Sequence, residues 1–483
     1  MTVASLVGFG CLTACQYMLF GATSAWWLLL PLTGFSLAYY LVSLRVNGFA
    51  GDFDLKAHRR LVRRWQPTAY PSVDVFLPVC GEPVSVLHNT WTYVRAMADR
   101  YPGTCLPFVL DDSASPEVAA MSRDFGFRYG TRENPGWFKK AGNLHFGFGR
   151  SSGEFVLVLD ADFAPRADLL QELLPYFDTE PGVGIVQSPQ YFRVLDAQNW
   201  VERGAGAVQE LFYRSVQVSR QANGGAICVG SCAVYRRAAL ESNGGTTLIE
   251  HSEDVHTGFD LSTHGWHLVY VPMAVSAGVC PDSIPAFVSQ QYRWCTGSMS
   301  LLTSRKFWTA RLPVTTRLCY ISGFLYYLHT ALFTFAAPIA PILLLLTAPH
   351  LLRAEHVWLL LPGIVYATLV FPLWHRAPYR LEAWAARMMY GWAHAFAIWD
   401  AVRGRRLQWQ PTGASAAKGS QTKRFWFGMW FWSAGTAAVW VGAALWRALT
   451  LEAADFALIL SSGLFYAAVV GRILVQPRAE AGS

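Results

Sequence analysis

The sequence predicts an α/β domain, built on a mainly parallel sheet, inserted between two groups of membrane-spanning helices. Three observations predict it. Two uncharged apolar runs open the chain, and long apolar runs return after residue 320. Between them, from Asp74 to about Ser304, short apolar runs alternate with polar, Gly-rich turns and helical stretches. Acidic residues stand at the ends of those short runs, as Asp111-Asp112 and Asp160-Ala161-Asp162.

Composition agrees. Hydrophobic residues make up 53% of 483, charged residues only 15%, and mean hydropathy is +0.25, which suits a chain partly solvated by lipid. The net charge of +7 is scattered, so the chain carries no basic arm for nucleic acid. Nine Cys form neither a CxxC pair nor a zinc pattern, and free thiols are expected.

Residues 4–21 and 25–44 are each close to the ~20 residues that cross a bilayer, and Ala22-Thr23-Ser24 makes them a helical hairpin. The N-terminus has no basic n-region and no cleavage signal, so it reads as a retained anchor. Arg45, Lys56, Arg59, Arg60, Arg63 and Arg64 follow, which makes that side cytoplasmic by the positive-inside rule; the expected location is the plasma (bacterial inner) membrane. Strands are expected at 73–79, 105–110, 154–160, 183–187 and 267–272, and helices at 85–99, 139–149, 165–177 and 199–219. Such a sheet binds ligands beyond its strand carboxyl ends.

Apolar runs at 320–347, 357–374, 425–446 and 456–471 bring the expected spans to about six; Pro338 and Pro341 predict a tilt or kink in the third. Between the fourth and fifth, Trp384, Met388, Trp392, Phe396 and Trp399 form one apolar stripe, read as an interfacial helix lying flat on the cytoplasmic leaflet.

The carboxylates carry the chemistry. Asp160-Ala161-Asp162 puts two hard oxygen ligands on one face of an extended segment, where a divalent cation would neutralise a diphosphate leaving group. The plainer reading is a capped helix start before Pro165. Asp111-Asp112 follows a strand and offers acceptors to a uracil imide and ribose. Lys139-Lys140-Ala141-Gly142-Asn143 opens a helix whose amides and Lys140 suit phosphate. Asp254, supported by Glu253, is the candidate general base, with His256 its rival. Gln290, Arg293 and Trp294 share a helix face: Arg293 forks toward a diphosphate and Trp294 offers a flat ring to an acceptor sugar.

In this order the motifs resemble those of processive family 2 glycosyltransferases of the cellulose synthase type. The resemblance runs through Asp111-Asp112, Lys140-Ala141-Gly142-Asn143, Asp160–Asp162, Gln187-Ser188-Pro189-Gln190-Tyr191-Phe192, Gly230-Ser231, Ser252-Glu253-Asp254 and Gln290-Gln291-Tyr292-Arg293-Trp294, over roughly residues 70–350. It implies a GT-A fold, a UDP-sugar donor, Mg2+ or Mn2+, inversion to a β-linkage and export of the polymer across the bilayer. By position, it makes Pro78, Glu82, Asp111, Asp112, Lys140, Asp160, Gln290, Arg293 and Thr412 nucleotide-sugar contacts. Asp160 and Asp162 become metal ligands, Asp254 and Glu253 catalytic, and Trp294, Gly230 and Ser231 acceptor contacts.

The chain departs from that pattern in three places. Ser252 stands for the usual Thr, and the gating segment reads Trp409-Gln410-Pro411-Thr412 in place of FxVT. About 60 residues follow the loop that runs on from it to Ser420, so a PilZ domain is not expected.

The expected organisation is then residues 1–45, two spans; 46–305, the cytoplasmic catalytic domain; 306–379, an interfacial segment and spans three and four; 380–424, the amphipathic helix and gating loop; and 425–483, spans five and six with a short tail. The expected partners are a UDP-sugar, a growing polysaccharide and the bilayer, with no nucleic acid; accessory subunits leave no mark in the sequence. UDP-glucose polymerised to a β-glucan is the first reading. A chitin- or hyaluronan-like synthase using UDP-GlcNAc and a lipid-directed single transfer are the alternatives, and a non-catalytic channel is the distant one.

Overall fold

The computed structural model describes residues 1–48, 52–404 and 420–474. Its centre is a seven-stranded sheet. The strands are β1 (Val73–Val79), β2 (Cys105–Asp111), β3 (Arg128–Gly130), β4 (Phe155–Val158), β6 (Val183–Gln187), β7 (Ala233–Arg236) and β8 (His267–Tyr270). β5 (Phe163–Pro165) and β9 (Ser276–Gly278) pair separately as a small antiparallel ribbon. The sheet order is β3-β2-β1-β4-β7-β6-β8; β7 runs antiparallel to both neighbours and every other pairing is parallel.

Strand alternation explains the layering. Val73, Val75, Leu77 and Val79 of β1 join the cluster that contains Leu87, Trp91, Val94 and Met97 of the Val84–Arg100 helix. Phe76 points the other way, into a cluster with Leu110, Leu144, Leu240 and Leu261. Both faces are covered, which is why β1 is apolar at every position but Asp74, whose buried carboxylate pairs with Arg237 at 3.1 Å. Trp91 is 0% exposed, and each such large side chain contributes on the order of 2–3 kcal/mol by burial.

Among the described residues, five helical segments are long and apolar enough to cross a membrane: Thr2–Ala22, Ser24–Asn47, Val314–Thr347, Ala354–Trp374 and Ala453–Leu474. The fifth expected span falls in the Ser420–Thr450 helix, which forms and packs along Ala453–Leu474. It is less apolar than the other five because Trp426, Trp430, Trp432, Trp440 and Trp446 alternate with Gly428, Gly435 and Gly442. The third span breaks between Ala336 and Ile339, at Pro338, as its prolines predict. The first and fourth meet at Gly8, where a Cβ would lie 3.2 Å from the Gly363 Cα; small residues allow this approach.

The Leu381–Val402 helix packs over more of its surface than the single stripe of large residues. Ala383, Ala385, Ala386, Met389, Tyr390, Gly391, Trp392, Ala393, His394 and Ala397 are all buried, against helices of the α/β domain and of the membrane group alike. A Cβ on Gly391 would fall 1.9 Å from Thr334 Oγ1, and one on Gly204 would fall 2.6 Å from the Glu382 carbonyl oxygen. The stripe of large residues drew attention to one face, while a second face of Ala and Gly was already shaped for close helix contact. All nine cysteines are unpaired, as expected.

Candidate active site

The strand carboxyl ends gather the chemistry. β2 ends at Asp111, Asp160 lies two residues past β4, and Glu82 lies three past β1. Asp111 is 1% exposed, and its carboxylate is fully engaged. It accepts from Ser113 N (2.8 Å), Ser113 Oγ (2.5 Å), Ser115 N (3.0 Å) and the Tyr129 hydroxyl (2.9 Å). The direct uridine contact expected of Asp111 is thus not open in this arrangement; the residue shapes the loop. Asp112 is held in a two-pronged pair by Arg132, at 2.6 and 2.5 Å, and accepts from Gly136 N at 3.3 Å.

Arg132 is a residue that motif reading missed. Its guanidinium also donates to the carbonyl oxygens of Trp137 (2.6 Å) and Lys139 (3.1 Å), so one buried side chain ties Asp112 to the turn that launches the Lys139–Phe148 helix. That turn is sharp: Gly136, Phe138 and Lys139 have φ of 81°, 46° and 49°. Gly142 makes room for it, since a Cβ there would lie 2.1 Å from the Trp137 oxygen and 2.4 Å from Arg132 Nη1. The Gly of Lys-Ala-Gly-Asn is the one available signal. Asn143 donates to the Leu110 carbonyl at 2.7 Å, fixing the helix to β2.

Lys140 thereby reaches the middle of the site. Its ammonium donates to Asp160 Oδ1 and to the Gly230 carbonyl (2.9 Å), and lies 3.6 Å from Glu253 Oε1. Burial disfavours its charge, but Asp160, Glu253 and Asp254 prevail and raise its pKa. Ser231 accepts from Asp160 N at 2.9 Å and is 0% exposed. Gly230 and Ser231, both buried, therefore brace the Asp160 loop. Pro78 is half-buried on β1. Glu82 accepts from Cys80 N at 2.6 Å, and burial raises its pKa, with smaller contributions from Asp160 and Asp111.

Asp254 stands in the first turn of the Glu253–Thr263 helix, after Ser252 in a left-handed conformation (φ 55°). A non-glycine residue there stores about 1–3 kcal/mol of strain, a feature typical of functional loops. Burial and then the Glu253 charge push Asp254 up to about 7, against the lowering pull of Lys140. Gly230 (φ 74°) packs so closely that a Cβ would sit 2.9 Å from Asp254 Oδ2. His256, the rival base, faces elsewhere: its Nε2 pairs with Ser300 Oγ at 2.9 Å, and burial lowers its pKa.

The Ile284–Leu302 helix closes the site. Arg293 lies near Asp160 and Asp162; burial lowers its pKa to about 10, partly offset by those two carboxylates, so it stays cationic at neutral pH. Gln290 and Trp294 are half-buried on the same helix, while Tyr292 points inward and donates to Asp400 Oδ2 at 3.3 Å. Asp162 is pushed up to about 7 by burial and then by Asp160. Its charge is under-compensated, a donor set that a divalent cation fits. Among the described residues no group of three or more His, Cys, Asp or Glu is assembled for a metal, so Asp160 and Asp162 would share a cation with oxygens from a ligand. Thr412 and the rest of the Trp409–Thr412 segment lie outside the described residues.

Known proteins share this architecture. Residues 155–372 match the model described as Glycosyl transferase family group 2. The chain is 31% identical over 268 residues to a cellulose synthase catalytic subunit [UDP-forming] of Xanthomonas axonopodis pv. citri (strain 306), covering 54% of this chain and 36% of that protein. It is 28% identical over 338 residues to the protein of that name from Komagataeibacter sucrofermentans, covering 69% and 43%. The chain thus spans less than half the length of these curated relatives. Among solved structures, a mannosyltransferase from Pyrobaculum calidifontis in complex with GDP-Man and Mn2+ superposes with TM-score 0.51 at 16% identity, covering 76% of this chain and 97% of that one. That likeness shows the GT-A-type fold. Residues 155–372 are thus similar to family 2 glycosyltransferases, and the stretches matched to the curated relatives to cellulose synthase catalytic subunits, in an α/β domain flanked by helices long and apolar enough to cross a membrane.

Proposed function

We propose that this chain is a membrane-embedded, inverting, processive glycosyltransferase that polymerises a UDP-sugar, UDP-glucose first, into a β-linked glucan and passes it across the membrane. The observation that carries the reading is the convergence of four stretches distant in sequence: Lys140, Asp160 with Asp162, Glu253 with Asp254, and Arg293 influence one another's charge at one end of one sheet. The names of the curated relatives favour UDP and glucose over the GlcNAc alternative.

Each residue then has a distinct role. Lys140 and Arg293 are the two cations available to a diphosphate. Asp160 and Asp162 would hold Mg2+ or Mn2+, which supplies charge neutralisation to the departing UDP. Asp254 takes the proton of the acceptor hydroxyl as the new glycosidic C–O bond forms and the bond from anomeric carbon to phosphate oxygen breaks on the opposite face. A base whose pKa lies near 7 is well matched to that transfer at neutral pH. Trp294 stacks an acceptor ring and Gln290 hydrogen-bonds beside it. The spans anchor the domain, on the cytoplasmic side by the charge of residues 45–64.

The test is incubation of the purified full chain with radiolabelled UDP-glucose or UDP-GlcNAc and Mg2+ or Mn2+. A high-molar-mass, β-glucanase-sensitive product from UDP-glucose is expected. Short lipid-linked product would remove processivity, product from UDP-GlcNAc alone would move the donor assignment, and no transfer from either would overturn the reading.

A further inference from the structure

The Leu55–Arg64 helix opens eight residues after the second span ends at Asn47, so it starts within about 28 Å of that end even on a fully extended link. Lys56, Arg59, Arg60, Arg63 and Arg64 are spaced i, i+3, i+4, i+7 and i+8, which places all five within roughly 140° of helix arc. All five are exposed, and among the described residues none has an ion-pair partner. The opposite face is fixed to the α/β domain. His58, 3% exposed, lies 2.6 Å from Glu172 Oε2 through Nε2 and 2.9 Å from the Tyr176 hydroxyl through Nδ1. Trp65 Nε1 donates to Asp178 Oδ2 at 2.7 Å. Asp54, the nearest acid in sequence, accepts from Ala57 N as the helix cap.

A helix held in this way cannot turn its cations toward the protein. We propose that this face is a binding surface for anionic phospholipid headgroups of the leaflet on the catalytic domain's side. Charge complementarity and the short link to the second span select that occupant: a cluster of four to eight cations close after a span in sequence is attracted to an anionic leaflet, an attraction that salt screens. His58, Glu172 and Trp65 hold the face in register, and the positive charges do the binding. The assignment is independent of the sugar chemistry.

The experiment uses the full chain in a neutral detergent, titrated into micelles carrying fluorescent phosphatidylglycerol or fluorescent phosphatidylcholine. Wild type is expected to prefer the anionic lipid by roughly tenfold or more, and to lose most of that preference at about 0.5 M salt. K56Q/R59Q/R60Q/R63Q/R64Q should lose the preference, whereas R59K/R60K/R63K/R64K should keep it. Should the fivefold variant not fold, R59Q/R63Q, at two exposed positions, should show an intermediate loss. Undiminished preference in the Gln variants would overturn the proposal, and so would displacement of the lipid by inorganic phosphate at millimolar concentration, which would mark a site for soluble anions instead.

Discussion

Gly297 lies directly against Ser252: a Cβ built on Gly297 would fall 1.8 Å from the Ser252 hydroxyl oxygen and 2.3 Å from its Cβ. Ser252 is the left-handed residue that starts the Asp254 helix, and Gly297 sits three residues after Trp294. The proposed base and the acceptor helix therefore meet at a contact with no spare volume. Gly297→Ala is expected to displace Asp254, lowering kcat by about tenfold or more while the UDP dissociation constant changes less than threefold. Ser252→Gly in the same chain removes the obstructing hydroxymethyl, suits φ 55°, and should restore part of kcat. Steady-state kinetics with calorimetric UDP titration check both.

Asp254→Asn should abolish polymer formation, by on the order of 10³-fold, with UDP binding retained. The pH profile gives the sign. Activity needs the carboxylate, so kcat should rise with pH and level off above about 7, the value to which burial and Glu253 push this acid. An acid limb near 4, or one shared by the Asn variant's residual activity, would assign the base elsewhere.

Stability should run the other way in cation-free protein. Asp162 and Asp254 bind protons more tightly folded than unfolded, so the native state gains from protonation below the ordinary carboxylate pKa near 3.9. That gain is lost as pH rises through about 7. Mn2+ with UDP should reverse much of the loss at pH 7.5, raising Tm by roughly 3 °C or more in wild type and little in Asp162→Asn. Thermal melts of both proteins with and without Mn2+ and UDP measure this independently of turnover.

Arg132→Lys keeps the charge but not the two-pronged hold on Asp112 or the bonds to the Trp137 and Lys139 carbonyls. The Lys140 helix should shift, raising KM for the donor about tenfold with a smaller fall in kcat.

Trp294→Ala should lower acceptor engagement more than donor hydrolysis, by about 1–2 kcal/mol of stacking. Product-length analysis beside a UDP-release assay separates the two; equal losses would count against a ring-stacking role.

Much of this was legible in the chain. Central strands advertise themselves as apolar runs, and β1, β2, β4, β6 and β8 all lie at or close to the expected positions. β7 was not among the expected strands because its four residues, Ala233–Arg236, are too few to stand out as an apolar run; only their partners reveal an antiparallel insert between β4 and β6. Carboxylates and cations of the site were legible because chemistry demands residue types. Arg132 and Gly297 were not, because each matters through what it approaches across the fold; Gly142 stood in a motif, but the Trp137 carbonyl and Arg132 that require it did not. Gly230 and Ser231 are buried and brace the Asp160 loop, which motif position alone does not reveal.

The Leu381–Val402 helix has a practical consequence. Its Ala- and Gly-lined surface fills the seam between Ile284–Leu302 and Val314–Ala336, and Tyr292, Cys295 and Met299 depend on that seam for their dryness. Cutting the chain near residue 305 to harvest a water-soluble fragment would wet all three and leave Tyr292 without Asp400. The catalytic half is therefore inseparable from its lipid-bound half, and purification must keep them whole.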